Sequence, residues 1–319
     1  MLLYHYCSNS TFFKIVSNHQ IWMSDISRSN DYNEMRLFIP GIFRKIENVY
    51  KTNPFEFIYK KKTGLVALQL LLHEVYETIG RARDQGILTS YVVCFSREKD
   101  LLSQWRGYAD NGKGCAVGFS LEELERYCSR SSGVITIRKV EYINEQTLDK
   151  VLQEKAEELV PHFITLRNDA KQLFAYGDLS EEEPDAVMQL LAFGLFENFL
   201  FDSLQYKWDD YEEEAEWRMF FKQITKNARH LFGDEKDLPE RQERACKGYF
   251  TQHNKIQFFA RDDCIVPYFP VDLEDISSEP IKDVYLGPKN NSHIQDVKLL
   301  FAREKLGEPN IQDSRISYR

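Results

Sequence analysis

The chain has six cysteines (Cys7, Cys94, Cys115, Cys128, Cys246 and Cys264) but no C-x-x-C pair. Without paired spacing, four zinc ligands cannot be assembled locally, and the cysteines read as reduced, structural thiols. Cys94 and Cys115 sit in strand-like apolar runs, where a thiol is expected to act as a small buried hydrophobe. No apolar run approaches the roughly 20 residues a membrane-spanning helix needs. The opening "MLLYHYC" is too short for the apolar core of a signal peptide, so the expectation is a cytoplasmic protein with no membrane partner. Positive charge is also scarce. Lys and Arg total 41 against 50 Asp and Glu, a formal charge of −9, which excludes a globally basic nucleic-acid binder. There is no Pro/Ser/Gly-rich linker, internal repeat, G-x-S-x-G elbow, H-E-x-x-H site or EF-hand loop. Gly112-Lys113-Gly114 is not a Walker motif, which needs a longer loop with Ser or Thr after its Lys.

What is present is a globular composition. Apolar residues make up 43% of the 319 and aromatics 13%, enough to build a core. "LLYHY" predicts a strand and "SNSTFFKIVSN" a helix opened by Ser or Asn capping, followed by the extended "QIWMS". Asp31 and Glu34 have capping-box spacing, and the helical pattern runs from about 55 to 83. "ILTSYVVCFS", "CAVGFS", "VITIRKVEYI", "AEWRMFFKQ", "NKIQFFA" and "IKDVYLGP" predict strands, with long helices over 145–206 broken near Gly177 and Pro184. The last helix is "HIQDVKLLFAREKL". The predicted organisation is one α+β domain over 1–319, with helical insertions at about 31–86 and 145–206.

Three stretches carry chemistry. His5 alternates with Tyr4 and Tyr6 and is either a hydrogen-bonded structural residue or a ligand contact. In "SQWRGYADNGKG", helical spacing lets Trp105 and Tyr108 meet as aromatic planes. A flat heterocycle could stack there, Arg106 could hold a phosphate or carboxylate, and the glycines would allow close approach of a ligand. Plain core packing and a tight turn explain the same residues. In "EEEAEWRMFF", strand alternation puts Glu214, Glu216 and Arg218 on one face, with Ala215, Trp217 and Met219 on the other. Paired carboxylates suit acid–base work or stabilisation of a developing cation, while Arg218 could equally form a plain ion pair. Asp209, Asp210, Glu212 and Glu213 read as a solvated approach to that strand.

"LYHYCSNSTFFKIVSNHQIWMSD", "SNDYNE", "CFSREKDLLSQWRGYADNGKGCAVGF", "KWDDYEEEAEWR", "VYLGPK" and "IQDSRISYR", in that order, resemble the bacterial family called domain of unknown function 2971. The plan is also similar to the ADP-ribosyltransferase fold, a split β-sheet core in which NAD lies between two small sheets. That second resemblance implies NAD as substrate, with His5 holding the adenosine ribose, Tyr108 (backed by Trp105) stacking on the nicotinamide, and Ser96 at the supporting strand. It makes Glu216 the carboxylate that stabilises the oxocarbenium-like centre and Glu214 the group that orients or deprotonates the acceptor. Arg106 and Arg218 join the cofactor-binding set. The protein would then be an ADP-ribosyltransferase or NAD glycohydrolase acting as a toxin or phage-defence effector. Its partners would be a macromolecular acceptor and a neutralising protein. A non-catalytic nucleotide-sensing or interaction module is the alternative, and a metal-dependent hydrolase or nuclease the third reading.

Overall fold

A computed structural model of the chain describes residues 1–26, 32–84, 88–131, 134–174, 184–224, 255–260 and 264–318. It begins with strand β1 (Leu2–Cys7), helix α1 (Asn9–Asn18) and strand β2 (Gln20–Asp25). Ser8 caps α1, its Oγ accepting the Thr11 N–H at 3.2 Å. Phe12, Ile15 and Val16, spaced on one helical face, are buried against the sheet.

The following elements are α2 (Tyr32–Thr52), the short hairpin β3 (Ile58–Tyr59) and β4 (Lys62–Thr63), α3 (Gly64–Asp84), β5 (Leu88–Ser96), α4 (Leu102–Tyr108) and β6 (Cys115–Ser120). Next come α5 (Leu121–Ser129), β7 (Ile135–Lys139), β8 (Glu141–Ile143), α6 (Glu145–Phe174), α7 (Pro184–Ser203) and β9 (Tyr206–Trp208). A 3₁₀ turn (Asp209–Glu214) leads into β10 (Glu216–Ile224). The chain ends with β11 (Gln257–Ala260), β12 (Ile265–Asp272), α8 (Leu273–Ile276), β13 (Ile281–Leu286), α9 (Ile294–Glu304) and β14 (Asn310–Asp313). This is an α+β protein with a mixed sheet.

The sheet forks at β5. One edge of β5 pairs antiparallel with β10 from Leu88↔Ile224 to Ser96↔Glu216, and β7 continues beyond β10. Its other edge is used twice, by β2 at Tyr91 and Val92 and by β1 at Ser96. Among the described residues, 93–95 have a register partner in neither β1 nor β2. From β1 the sheet runs on through β6, β13 and β14, and from β2 through β12 to β11. Phe12, Ile15 and Val16 of α1 belong to the same apolar cluster as Val93, Phe95 and Val117 of the sheet. The helices expected as two insertions (α2 and α3, then α6 and α7) come together in one apolar cluster that also takes Val92 and Phe220 from the sheet.

Several local expectations change. The helix expected from residue 55 starts at Gly64, because Lys60 and Lys61 take positive φ (45° and 60°) and make a hairpin turn first. "VITIRKVEYI" is two strands, β7 in the main sheet and β8 paired in parallel with β9. Cys94 is exposed rather than buried, because it lies at the fork, whereas Cys7, Cys115 and Cys128 are buried and Cys264 is half-buried. Asp31, Gly177 and Cys246 lie outside the described residues. Gly112 takes the positive φ expected of it, 86°, and the backbone that approaches Gly114 closely belongs to the chain itself. A Cβ on Gly114 would sit 2.0 Å from the Cys7 carbonyl oxygen, and the Gly287 N–H donates to the Gly114 carbonyl at 2.9 Å.

Residues after β14 return to the α4 region. Ser314 Oγ donates to Asp100 Oδ1 at 2.6 Å, and the Arg315 N–H donates to Asp100 Oδ2 at 2.8 Å.

Because the clash at Gly114 is with backbone, it cannot be relieved by a rotamer change. Gly114→Ala is expected to lower stability by about 1–3 kcal/mol or more, read as a reduced urea midpoint. An unchanged midpoint would show that the β1 terminus can move aside.

Candidate functional site

The fork opens into a cleft of about 400 Å³ whose lining includes His5, Trp22, Cys94, Tyr108, Glu214, Glu216 and Arg218. These residues come from β1, β2, β5, α4, the 3₁₀ turn and β10, so the sheet topology assembles the site. The volume lies within the range of small-ligand sites, about 300–1,000 Å³.

Strand pairing sets the floor. Arg218 is opposite Cys94 and Glu216 opposite Ser96 in the β10–β5 ladder, so these side chains share a face. The alternation expected through Glu214 stops two residues short of it, since β10 begins at Glu216. Ala215 adopts a left-handed φ of 45°, and this kink, not strand geometry, delivers Glu214 to the same place. Ser96, 2% exposed, does not line the cleft; its Oγ donates to the Glu214 carbonyl at 2.6 Å and accepts the Glu98 N–H. It holds the kink.

The carboxylates are engaged by two buried cations. Arg218 donates from Nε to Glu216 Oε1 at 2.8 Å and from Nη2 to Oε2 at 3.0 Å. Its Nη1 donates to the Leu204 carbonyl at 3.0 Å. Lys207 Nζ lies 2.7 Å from Glu214 Oε2 and 3.3 Å from Glu216 Oε2. The remaining Glu214 oxygen, Oε1, accepts from the Tyr108 hydroxyl at 3.2 Å. The Glu216 N–H donates to Tyr142 Oη at 2.8 Å. Burial works to raise the Glu216 carboxyl, but Arg218 and Lys207 outweigh it and bring it down to about 2. Glu214 moves the other way. Burial, aided by the charge of Glu216, raises it against the opposing contacts from Lys207 and Tyr108. Two neighbouring carboxylates are thus driven apart, one held as an anion and one that binds its proton more readily than an ordinary carboxyl.

His5 is half-buried beside Phe95, ring centroids 6.0 Å apart, and its Nδ1 is 2.9 Å from the Cys94 carbonyl. A carbonyl only accepts, so Nδ1 carries the proton and the neutral ring keeps a lone pair on Nε2. Burial lowers the His5 pKa, against the raising effect of that carbonyl. Tyr108, 49% exposed, ends α4 with its ring at the cleft.

Trp105 and Arg106 are not part of the cleft wall. Trp105 is fully buried, its ring edge-on to Tyr6 at 4.8 Å and its Nε1 donating to Asp100 Oδ1 at 2.7 Å. Its size and apolar surface place it in the core behind α4, where it fixes the helix that presents Tyr108. Arg106, one position on, is exposed. Asp209, Asp210, Glu212 and Glu213 are exposed as well.

Lys207, 1% exposed, is the residue that sequence reasoning missed. The sequence offers only a weak signal, a lone Lys between two aromatics in "YKW" just before an acidic run, which fits burial beside a carboxylate without saying which one. Trp22, stacked on Tyr268 at 4.2 Å, reads in the sequence only as part of a short strand. Among the described residues, no three His, Cys, Asp or Glu side chains group to hold a metal ion, and no helix is long and apolar enough to cross a membrane.

Residues 104–219 match the family model described as Protein of unknown function (DUF2971). The family resemblance read from the motifs therefore holds over the segment from Gln104 to Met219, which contains Tyr108, Lys207, Glu214, Glu216 and Arg218. Neither the curated proteins nor the solved structures contain a match to the chain.

Glu216 has its pKa depressed in the folded state, so its stabilising contribution is complete above about pH 4.5 and is lost as pH falls toward about 2. At about 1.4 kcal/mol per unit this amounts to about 3 kcal/mol. Urea denaturation at pH 6 and pH 3 is expected to show about 2 kcal/mol of that loss in wild type, the remainder falling below pH 3, and a smaller pH dependence in Glu216→Gln. Equal pH dependence in both proteins would remove Glu216 from the account.

Proposed function

We propose that the cleft binds NAD and that the protein is an ADP-ribosyltransferase-like enzyme, releasing nicotinamide by transfer or hydrolysis. One observation carries the reading. His5, Tyr108, Glu214 and Glu216, separated by up to 211 positions, converge on a cleft where a sheet divides. A forked sheet with its cleft at the shared strand also supports an ADP-ribosyltransferase-like core.

In this reading the Tyr108 ring stacks on the nicotinamide, and the His5 Nε2 lone pair accepts a hydrogen bond from a ribose hydroxyl. The glycosidic C–N bond breaks with its electron pair leaving on nicotinamide, and the ribose carbon becomes an oxocarbenium-like centre. Glu216, ionised throughout the physiological range, supplies a fixed negative charge to that centre. Glu214 accepts the proton of the attacking water or acceptor hydroxyl as the new C–O bond forms. The toxin or phage-defence role, its macromolecular acceptor and its neutralising partner rest on the resemblance alone.

A second reading has an observation of its own. Both carboxylates already face buried cations, and Glu216 is only 5% exposed, which favours a nucleotide sensor that binds without turnover. A metal-dependent hydrolase fits less well, because its carboxylates would have to converge on a metal rather than on Lys207 and Arg218.

Glu216→Gln is a poor first test, since it leaves two buried cations without a shared anion and destabilises the fold. Tyr108→Ala and Glu214→Gln are cleaner. Calorimetry is expected to show NAD affinity reduced by Tyr108→Ala by a stacking contribution of about 1–3 kcal/mol. NAD should also slow alkylation of Cys94, the exposed thiol in the cleft. Nicotinamide release should fall about 100- to 10,000-fold in Glu214→Gln. Binding and Cys94 protection without release would establish the sensor, and no binding would end both nucleotide readings.

A further inference from the structure

We propose that Lys207 is the positioning residue of this cleft, holding Glu214 by one oxygen so that the other meets Tyr108, while it shares Glu216 with Arg218. The inference deepens the NAD reading and, as a statement about catalysis, rests on it.

The geometry is specific. An ammonium has three donor directions and no acceptor. Lys207 Nζ lies 2.7 Å from Glu214 Oε2, 3.3 Å from Glu216 Oε2 and 4.6 Å from the centroid of the Tyr211 ring. It comes from β9, which among the described residues pairs only with β8 and lies outside the forked sheet. Glu216 is anchored without it by two Arg218 contacts, whereas Glu214 is bonded by one oxygen to Lys207 and by the other to Tyr108. Removing the ammonium therefore affects the two acids unequally. Glu216 keeps its guanidinium, and Glu214 loses its cation while the charge of Glu216 stays beside it. The ionisable groups facing Glu214 are Lys207 from β9, Glu216 from β10, Tyr108 from α4 and Tyr142 from β8. Lys207 is the cation among them. It sets how readily Glu214 gives up its proton, and it turns the exchanging oxygen toward the half-exposed tyrosine at the cleft.

The test needs no substrate. Glutamate labelled with ¹³C at the side-chain carboxyl is titrated by NMR in wild type, Lys207→Met and Lys207→Arg, with the Glu214 resonance identified from Glu214→Gln. The Glu214 titration is expected to move up by about one to three units in Lys207→Met, and to return toward wild type in Lys207→Arg. In wild type, the Lys207 ¹⁵Nζ shift should follow the Glu214 titration, a measurement that stands even if Lys207→Met does not fold. A Glu214 titration unchanged by Lys207→Met, or a Lys207 shift that ignores Glu214, overturns the proposal. In a separate arm, the acidic limb of the nicotinamide-release profile should move upward with the titration. Absence of release in wild type would count against the enzyme reading, and the titration would still decide whether Lys207 positions Glu214.

Discussion

A β-strand has two edges, and β5 must serve three strands. β10 occupies one edge along its whole length, so β1 and β2 have to divide the other, and neither pairs with residues 93–95. Backbone polar groups left without a ladder partner must find another. At Cys94 the His5 ring supplies one by donating to the carbonyl. The same gap lets side chains from β1, β2, β5 and β10 reach one hollow. The cleft is therefore a consequence of strand pairing, and most of its lining comes from strands.

At the cleft are four charges in near-complete burial: Glu214, Glu216 and Arg218 of its lining, and Lys207 paired to both acids. Moving such a set out of water is costly, and its net contribution over an apolar core of the same volume is small or negative. What it secures is geometry, because each carboxylate oxygen has a donor at a fixed position. The division of labour between the two acids follows from numbers of partners: the acid with two close cations stays ionised and the acid with one does not hold its charge as firmly.

Much of this was legible in the sequence where a local rule applies. The Ser8 cap, the apolar face of α1 and most strands follow from spacing and residue type. His5, Tyr108, Glu214 and Glu216 could be singled out by chemistry. Their meeting could not be, because it depends on which strands share β5. Trp105 and Ser96 show the same limit, because a buried Trp and a Ser at a strand end look the same in sequence whether they touch a ligand or hold the element that does. Lys207 escaped because its partners are defined by the kink at Ala215, a left-handed conformation that an alanine does not announce. The Gly112–Gly114 turn read as ligand-friendly because close approach of backbone and of ligand demand the same residue.

The tie between Asp100 and residues 314–315 has a temporal side. Asp100 also accepts the Trp105 indole, so it anchors the helix whose last residue is Tyr108. The contacts to Ser314 and Arg315 span 214 and 215 positions. A ribosome adding about 5–20 residues per second needs on the order of 10–40 s to cross that interval. During synthesis, then, the Tyr108 helix stays without its outer clamp until residues 314 and 315 have been made. A nascent chain carries the strands of the fork long before it carries a finished cleft.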